Sequence, residues 1–253
     1  MANYSNLKVI SLDKSVPNNV VIEFELPELL KSQFQFHPGQ FVVVKYLLAG
    51  LEYKRSYSLS HSAVHNVPLQ ITVKRVGDGI TSNFANNELK VNDYLEVGAP
   101  RGKFCIELNA AAENTYYLIA AGSGIAPMHS MLQSVLRAEP NSKICLLYGN
   151  TNDDSIIFGK EIMAFSVQYP ERIKVQHVLS RQSKVLNLLQ HQEIWEGRIG
   201  ENILRRFFES NPVPRAYKIF VCGPSEMNIA CKEILTRLDF PKEKVHIEFF
   251  GKI

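Results

Sequence analysis

The sequence predicts two domains: an antiparallel β-barrel over residues 1–109, then an α/β domain built on a doubly wound parallel sheet over 110–253. Three observations predict this. At 253 residues the chain exceeds one ordinary core and suits two. Residues 7–105 carry about six short strand-like segments separated by turn signals, the pattern of an antiparallel barrel. After a polar, alanine-rich stretch at 109–114, continuous apolar runs alternate with segments of helical spacing, the pattern of βαβ units.

Residues 7–12 open the barrel, and Asn18-Asn19 makes a turn. Residues 20–26 alternate until Pro27 stops them, and His37-Pro38-Gly39-Gln40 turns into the strand at 41–46. Strands at 53–60, 69–76 and 93–97 follow. Between the last two, Gly77-Asp78-Gly79 leaves a strand, and Ile80-Thr81-Ser82 opens a short helix with Thr81 or Ser82 as its cap. The free N–H groups there make an anion site.

In the second half, residues 115–121 read as a strand covered on both faces. Gly122-Ser123-Gly124-Ile125-Ala126-Pro127 leads into a helix over 128–137, with Met128, Met131, Leu132, Val135 and Leu136 at helical spacing. Strand 143–148 ends in Gly149-Asn150. Helix 159–168, strand 173–179, helix 202–209 and strand 218–221 follow, the last ending in Cys222-Gly223-Pro224-Ser225. A helix at 226–238 and a strand at 244–250 close the chain.

Composition excludes several classes. The hydrophobic fraction of 45% and charged fraction of 21% are those of a soluble globular protein. A net charge of +3 does not argue for nucleic acid. Residues 1–5 lack the features of a secretory signal, and no apolar run reaches the length of a membrane span. Cys105, Cys145, Cys222 and Cys231 have neither zinc nor iron–sulfur spacing, so buried, reduced thiols in the cytoplasm are expected. The histidines are isolated, and no metal site or nucleophile triad emerges; His129 and His246 alone border the expected crevice.

The residues with chemistry lie at strand ends. In Tyr53-Lys54-Arg55-Ser56-Tyr57-Ser58-Leu59-Ser60, Arg55 and Tyr57 share one face of an extended segment, and Ser56 and Ser58 the other. A guanidinium beside a phenol suits a flat aromatic ligand bearing a phosphate, with a serine hydroxyl in reach of a ring heteroatom. Read alone, the segment is an ordinary half-buried strand. If Ser58 is to join Arg55 and Tyr57 on one ligand, the strand must bend, twist or end there. Gly122 to Pro127, after a strand and before a helix, lets backbone N–H groups approach a pyrophosphate. Pro127 replaces the third glycine of the usual dinucleotide fingerprint. Gly223-Pro224 and Ser180-Arg181 follow other strands at the same sheet end, where Ser180 and Arg181 suit the 2′-phosphate of NADP.

Together these motifs resemble the ferredoxin–NADP reductase family over almost the whole chain. Arg55-Ser56-Tyr57-Ser58 matches its Arg-x-Tyr-Ser, while Val73-Lys74-Arg75 with Gly79-Ile80-Thr81-Ser82 is similar to its flavin-pyrophosphate segment. Gly98-Ala99-Pro100-Arg101-Gly102-Lys103-Phe104 resembles the end of its barrel. Gly122 to Pro127 and Cys222-Gly223-Pro224-Ser225-Glu226-Met227 resemble the two nicotinamide-side motifs, and Glu248-Phe249-Phe250 the carboxyl-terminal Glu-x-aromatic. The wording around His37 and His246 looks most like oxygenase reductases of the phenylacetyl-CoA epoxidase type.

The resemblance implies FAD on the barrel, with Tyr57 against the isoalloxazine and Ser58 near its N5. It places Arg55, Ser56, Val73, Lys74 and residues 79–82 around the flavin, and NADPH (or NADH) over Gly122, Gly124, Ile125, Ala126, Pro127, Gly223 and Pro224. Cys222, Glu248 and Phe250 would border the hydride-transfer site, with Phe250 covering the nicotinamide side of the flavin. The implied acceptor is an iron–sulfur protein: a ferredoxin, or a carboxyl-terminal [2Fe–2S] domain, for which this chain, ending at Ile253, has no cysteine cluster. Two other readings remain open at this level: an NADH-dependent flavin or oxygenase reductase, and a non-catalytic flavin- or nucleotide-binding regulatory module.

Overall fold

A computed structural model describes residues 4–64, 67–181 and 194–249. Strands β1 (Tyr4–Asp13), β2 (Asn19–Phe24), β3 (Phe41–Leu48), β4 (Leu51–Ser58), β5 (Leu69–Lys74) and β6 (Tyr94–Gly98) form an antiparallel sheet in the order β4-β3-β6-β1-β2-β5. The sheet curls until its edges meet. Leu59 bridges Ile71, and the Ser60 N–H donates to the Gln70 carbonyl at 2.9 Å. Alternation explains the interior: Val20, Ile22 and Phe24 of β2 are fully buried and join Val42, Val44 and Tyr46 of β3 in one core. Helix α1 (Ile80–Asn87) packs beside β5.

The second sheet is wholly parallel, in the order β10-β9-β8-β7-β11-β12. Its strands are β7 (Thr115–Ala121), β8 (Lys143–Asn150), β9 (Ile173–Leu179), β10 (Ile194–Glu196), β11 (Tyr217–Gly223) and β12 (Val245–Phe249). The helices are α2 (Ile125–Ala138), α3 (Gly159–Gln168), α4 (Glu201–Ser210) and α5 (Ser225–Arg237). The apolar run of β7 has a simple cause. Tyr116, Leu118 and Ala120 enter the core on the α2 side, while Tyr117 and Ile119 enter the core with Leu204, Phe207 and Leu235 on the other. Chain order reverses between β7 and β11, which opens a crevice at the carboxyl ends of these strands.

Two expectations are corrected. Helix α1 is not capped by Thr81 or Ser82: Gly79 is its N-cap, and no side chain caps it. The Ser82 hydroxyl turns back on the preceding loop, accepting from the Val76 N–H (3.1 Å) and donating to the Gly79 carbonyl (3.0 Å). Strand β10 was not expected: among the described residues three, Ile-Trp-Glu, pair with β9, too few to show a period. The other strands and helices lie where periodicity puts them, with no end moved by more than three residues.

The two sheets are held together by a seam along α2. Ring atom Nδ1 of His129 lies 2.8 Å from the Ser60 carbonyl, so the tautomer with Nδ1–H donates across the seam. Its ring stacks on Phe158 at 4.0 Å, interplanar angle 2°. The Ser134 hydroxyl accepts from the Ala63 N–H at 2.9 Å, and Phe104 meets Phe220 edge-on at 5.4 Å. His129 is 2% exposed, and burial pushes its pKa down to about 3. It is therefore neutral in the fold, whereas an unfolded histidine titrates near 6.5. The unfolded chain binds the extra proton between these values, so stability falls as pH drops below about 6.5, by up to about 1.4 kcal/mol per unit. Urea unfolding at pH 7 and pH 4.5 is expected to show a loss that is smaller in His129→Gln by about 2 kcal/mol; equal losses would mean that this imidazole does not set the acid limit.

Candidate cofactor and nucleotide site

The barrel end is assembled around Tyr57. Its half-buried ring meets Tyr46 edge-on at 6.4 Å, and Tyr46 meets Phe84 of α1 at 6.1 Å. The Tyr46 hydroxyl donates to that of Tyr57 at 3.3 Å. Burial raises the Tyr57 pKa, and the neighbouring Tyr46, Thr81 and Arg55 oppose the rise, so it stays a neutral phenol. Through Tyr46 these contacts link β4 to Phe84 of the uncapped helix α1. Arg55 is exposed, and its Nη1 donates to the carbonyl of its own neighbour Lys54 at 2.7 Å. Strand β4 ends at Ser58, 7% exposed, which is one of the ways the chain can free that side chain from strict alternation.

The loop before α1 is held by residues that periodicity did not single out. Asn83 Nδ2 donates to the carbonyls of Gly77 (2.7 Å) and Gly79 (3.0 Å), and Asn86 Nδ2 to those of Val73 (3.2 Å) and Ser82 (2.8 Å). Amide side chains thus take the loop carbonyls and leave the first N–H groups of α1 without side-chain partners. Val76 (64% exposed) and Ile80 (52%) present apolar surface on either side of this turn. An uncapped helix start, an exposed guanidinium and an adjacent phenol are a donor set that fits a phosphate joined to an aromatic ring. The Val73 side chain points into the barrel core and offers a ligand only its backbone.

The crevice of the parallel sheet holds a cavity of about 840 Å³. Gly122, Gly149, Gly223 and Pro224 line it from three strand ends, Ser180 and Arg198 from the β9–β10 side, and Lys74 from the barrel. Gly122 has a φ of +53° and starts a tight turn through Gly124 that runs directly into α2. Gly124 has a structural constraint of its own. A Cβ there would overlap the Cys222 carbonyl and lie 2.9 Å from the Gly223 Cα, so it is the end of β11 that demands glycine. Ile125, Ala126 and Pro127 are buried in helix packing. Lys74 ends β5 and reaches across, with its Nζ 3.6 Å from where a Gly122 Cβ would stand. Its amine therefore stands at the crevice of the parallel sheet, while its place in the sequence groups it with the barrel-end cluster.

Cys222 pairs with Glu248 in the register of β11 and β12. The thiol is fully buried, and burial, then the Glu248 charge, raise its pKa, so it keeps its proton. Burial likewise raises the Glu248 carboxyl. Asn228 of α5 ties the two strand ends together, donating to the carbonyls of Gly223 (3.1 Å) and Glu248 (2.7 Å). Arg181 is exposed and is not on the cavity wall, though its neighbour Ser180 is. Phe250 lies outside the described residues. Sequence reasoning missed Arg198, whose only local signal is the Gly-Arg that follows the three-residue β10. Among the described residues no cluster of three or more metal-ligating side chains occurs, and no helix is long and apolar enough to cross a membrane.

Comparison with known proteins agrees with this geometry. Residues 6–106 match the oxidoreductase FAD-binding domain, and residues 118–233 the oxidoreductase NAD-binding domain. A component of the 1,2-phenylacetyl-CoA epoxidase of Escherichia coli K12 is 30% identical over 99% of this chain and 69% of its own length. The ferredoxin reductase component of 3-ketosteroid-9-alpha-monooxygenase from Mycobacterium tuberculosis is 32% identical over 90% of this chain, which spans 58% of that protein. A ferredoxin NADP+ reductase from Neisseria gonorrhoeae, solved with FAD and NADP, superposes with a TM-score of 0.80 at 16% identity, covering 98% of this chain and 99% of that one, a likeness of fold alone. The chain belongs to the ferredoxin–NADP reductase family of FAD- and NAD-binding oxidoreductases.

Because a methyl group on Gly124 meets backbone and not a flexible side-chain tip, Gly124→Ala is expected to destabilise the second domain by about 1–3 kcal/mol, the range for overpacking. Differential scanning calorimetry would register it as a lowered Tm, and a Tm equal to that of the wild type would contradict the tight approach of the two turns.

Proposed function

We propose that this chain takes hydride from NADPH onto FAD and passes electrons one at a time to an iron–sulfur protein or domain. The observation that carries the reading is the facing of two sites: the Arg55–Tyr57–α1 cluster at the barrel end, and the crevice of the parallel sheet into which Lys74 of the same barrel reaches. Bound FAD supplies the conversion between two-electron and one-electron transfer. The chain supplies binding, orientation and a controlled electrostatic setting.

Arg55 and the first N–H groups of α1 hold the flavin pyrophosphate, Ser56 and Ser58 offer hydroxyls to the flavin, and Tyr57 packs on its ring. The contact of Tyr57 with Tyr46, which in turn meets Phe84 of α1, joins the ring to the helix. Val76 and Ile80 offer apolar surface to the adenine. In the crevice, the N–H groups of Gly122 to Gly124 and the Lys74 ammonium meet the nucleotide pyrophosphate, with Gly223 and Pro224 beside the nicotinamide. Cys222 keeps its proton on Sγ and Glu248 borders it, while Phe250 covers the flavin face in this reading. We place the domain boundary at 109/110. The name of the 3-ketosteroid-9-alpha-monooxygenase relative, a ferredoxin reductase component, supports the iron–sulfur acceptor, and the four free thiols are in keeping with the cytoplasm.

Anaerobic addition of NADPH to the purified, flavin-loaded protein is expected to bleach the visible flavin band, followed by single-electron reduction of an added ferredoxin. A coloured preparation that NADPH and NADH both leave unbleached would refute the reductase reading and favour a flavin-binding regulatory module. Replacing Arg55 by Ala should weaken FAD binding by about 1.5–3 kcal/mol, roughly ten- to a hundredfold in Kd, measured by fluorescence titration of the apoprotein.

A further inference from the structure

We propose that Tyr148 is a positioning residue for the nucleotide: its hydroxyl, buried beneath the crevice, joins two of the walls and turns the Ser123 N–H toward the bound pyrophosphate. This rests on the reductase reading and names a residue that acts on the nucleotide through the backbone, without touching it. The Tyr148 hydroxyl donates to the Gly122 carbonyl at 3.3 Å and accepts from the Ile157 N–H at 3.2 Å. Gly122, Ser123 and Ile157 line the cavity, whereas Tyr148 is fully buried behind them.

Strand β8 brings the ring there. Alternation puts Ile144, Leu146 and Tyr148 in the core on the α2 side, and Cys145 and Leu147 in the core on the other. Tyr148 stands opposite Ala120 of β7, two residues before Gly122. Two residues of strand span about 7 Å, a distance that a tyrosine side chain lying along its neighbour can cover. Burial raises the Tyr148 pKa, so the hydroxyl keeps the proton that it donates. Packing in this core needs only the ring. A buried hydroxyl costs free energy unless it is bonded, and here its bonds go to the backbone of two crevice walls.

The planar peptide turns that bond into an aimed donor. A trans peptide points its C=O and its N–H in opposite directions. The Gly122 carbonyl accepts from both the Tyr148 hydroxyl and the Ile125 N–H, so it faces the interior. The Ser123 N–H belongs to the same peptide and therefore points away from the core. No side chain caps this turn or the start of α2. The second wall is built separately. Asp153–Ser155 is a single helical turn closed by a capping box between Asn152 and Ser155, and Ile156, Ile157 and Phe158 after it are anchored in the core. The Ile157 N–H ties that wall to the Tyr148 hydroxyl, so one oxygen sets the spacing of both.

The test compares Tyr148→Phe with Tyr117→Phe. Tyr117 is the control: its buried hydroxyl donates to the Asn211 and Pro212 carbonyls on the other face of the sheet, and it does not line the cavity. In the flavin-loaded protein, Tyr148→Phe is expected to raise the KM for NADPH about three- to tenfold with kcat within about twofold, the effect of losing one modest hydrogen bond. Tyr117→Phe is expected to leave both constants unchanged. Calorimetric titration of the oxidised protein with NADP+ and NAD+, which needs no turnover, is expected to show the same weakening in Tyr148→Phe and none in Tyr117→Phe. In the wild type, hydrogen exchange is expected to find the Ile157 amide protected before nucleotide is added, and the Ser123 amide protected only afterwards; this measurement needs no variant to fold. Unchanged affinity in Tyr148→Phe, equal losses in the two variants, a fall in kcat at constant KM, a Ser123 amide protected without nucleotide, or no binding of either nucleotide to the wild type would overturn the assignment. If neither NADPH nor NADH bleached the flavin, the reductase reading would fall, while titration and exchange would still decide the role of Tyr148.

Discussion

The turn after β7 and the end of β11 touch backbone to backbone, and the nucleotide crevice depends on that contact. Gly124 has no room for a side chain because the Cys222 carbonyl and Gly223 Cα occupy it. The contact lies where strand order reverses, so it closes the floor of the crevice while the strand ends on either side remain open. It also sets the first turn of α2. From there α2 carries His129 and Ser134 to the barrel, where they bond to the Ser60 carbonyl and the Ala63 N–H. One close approach thus fixes both the cavity and the element that docks the two sheets.

The barrel responds with its own constraint. Tyr57 is tied to Tyr46, and Tyr46 meets Phe84 of α1, so a ring and a helix that are far apart in sequence form one surface. Lys74 then carries a positive charge from the barrel to the Gly122 turn. The net charge of +3 says little about either site. What matters is local: an exposed guanidinium by an uncapped helix, an ammonium at one strand end and a guanidinium at another. Cys222 and Glu248 sit together in paired register, and burial holds both toward their protonated forms.

Most of the fold was legible because its signals are local and periodic. The alternation of β2, the two-sided apolar run of β7 and the helical spacing from Met128 to Leu136 each carry their own evidence. Strand β10 was not legible, since three residues cannot display a period. The candidate site was legible as motifs but not as an arrangement. Lys74 belongs by sequence to the barrel segment, yet its long side chain ends in the nucleotide cavity. Arg181 follows Ser180 in the chain, yet Arg198 is the arginine on the wall, because Gly197 and Ile199 fasten its turn to the ends of β9 and β8.

The sequence by itself determined the two-domain architecture, the strand and helix order, the glycine turns at strand ends and the family. These follow from short-range patterns of burial and from backbone permissions written into single residues. Only the tertiary structure decided which groups meet: that a side chain at Gly124 would meet the end of β11, that Ser82 ties the loop and does not cap the helix, and which cations share the cavity. The physical reason is that side-chain reach and turn direction depend on what packs across the sheet, and those partners lie tens of residues away along the chain.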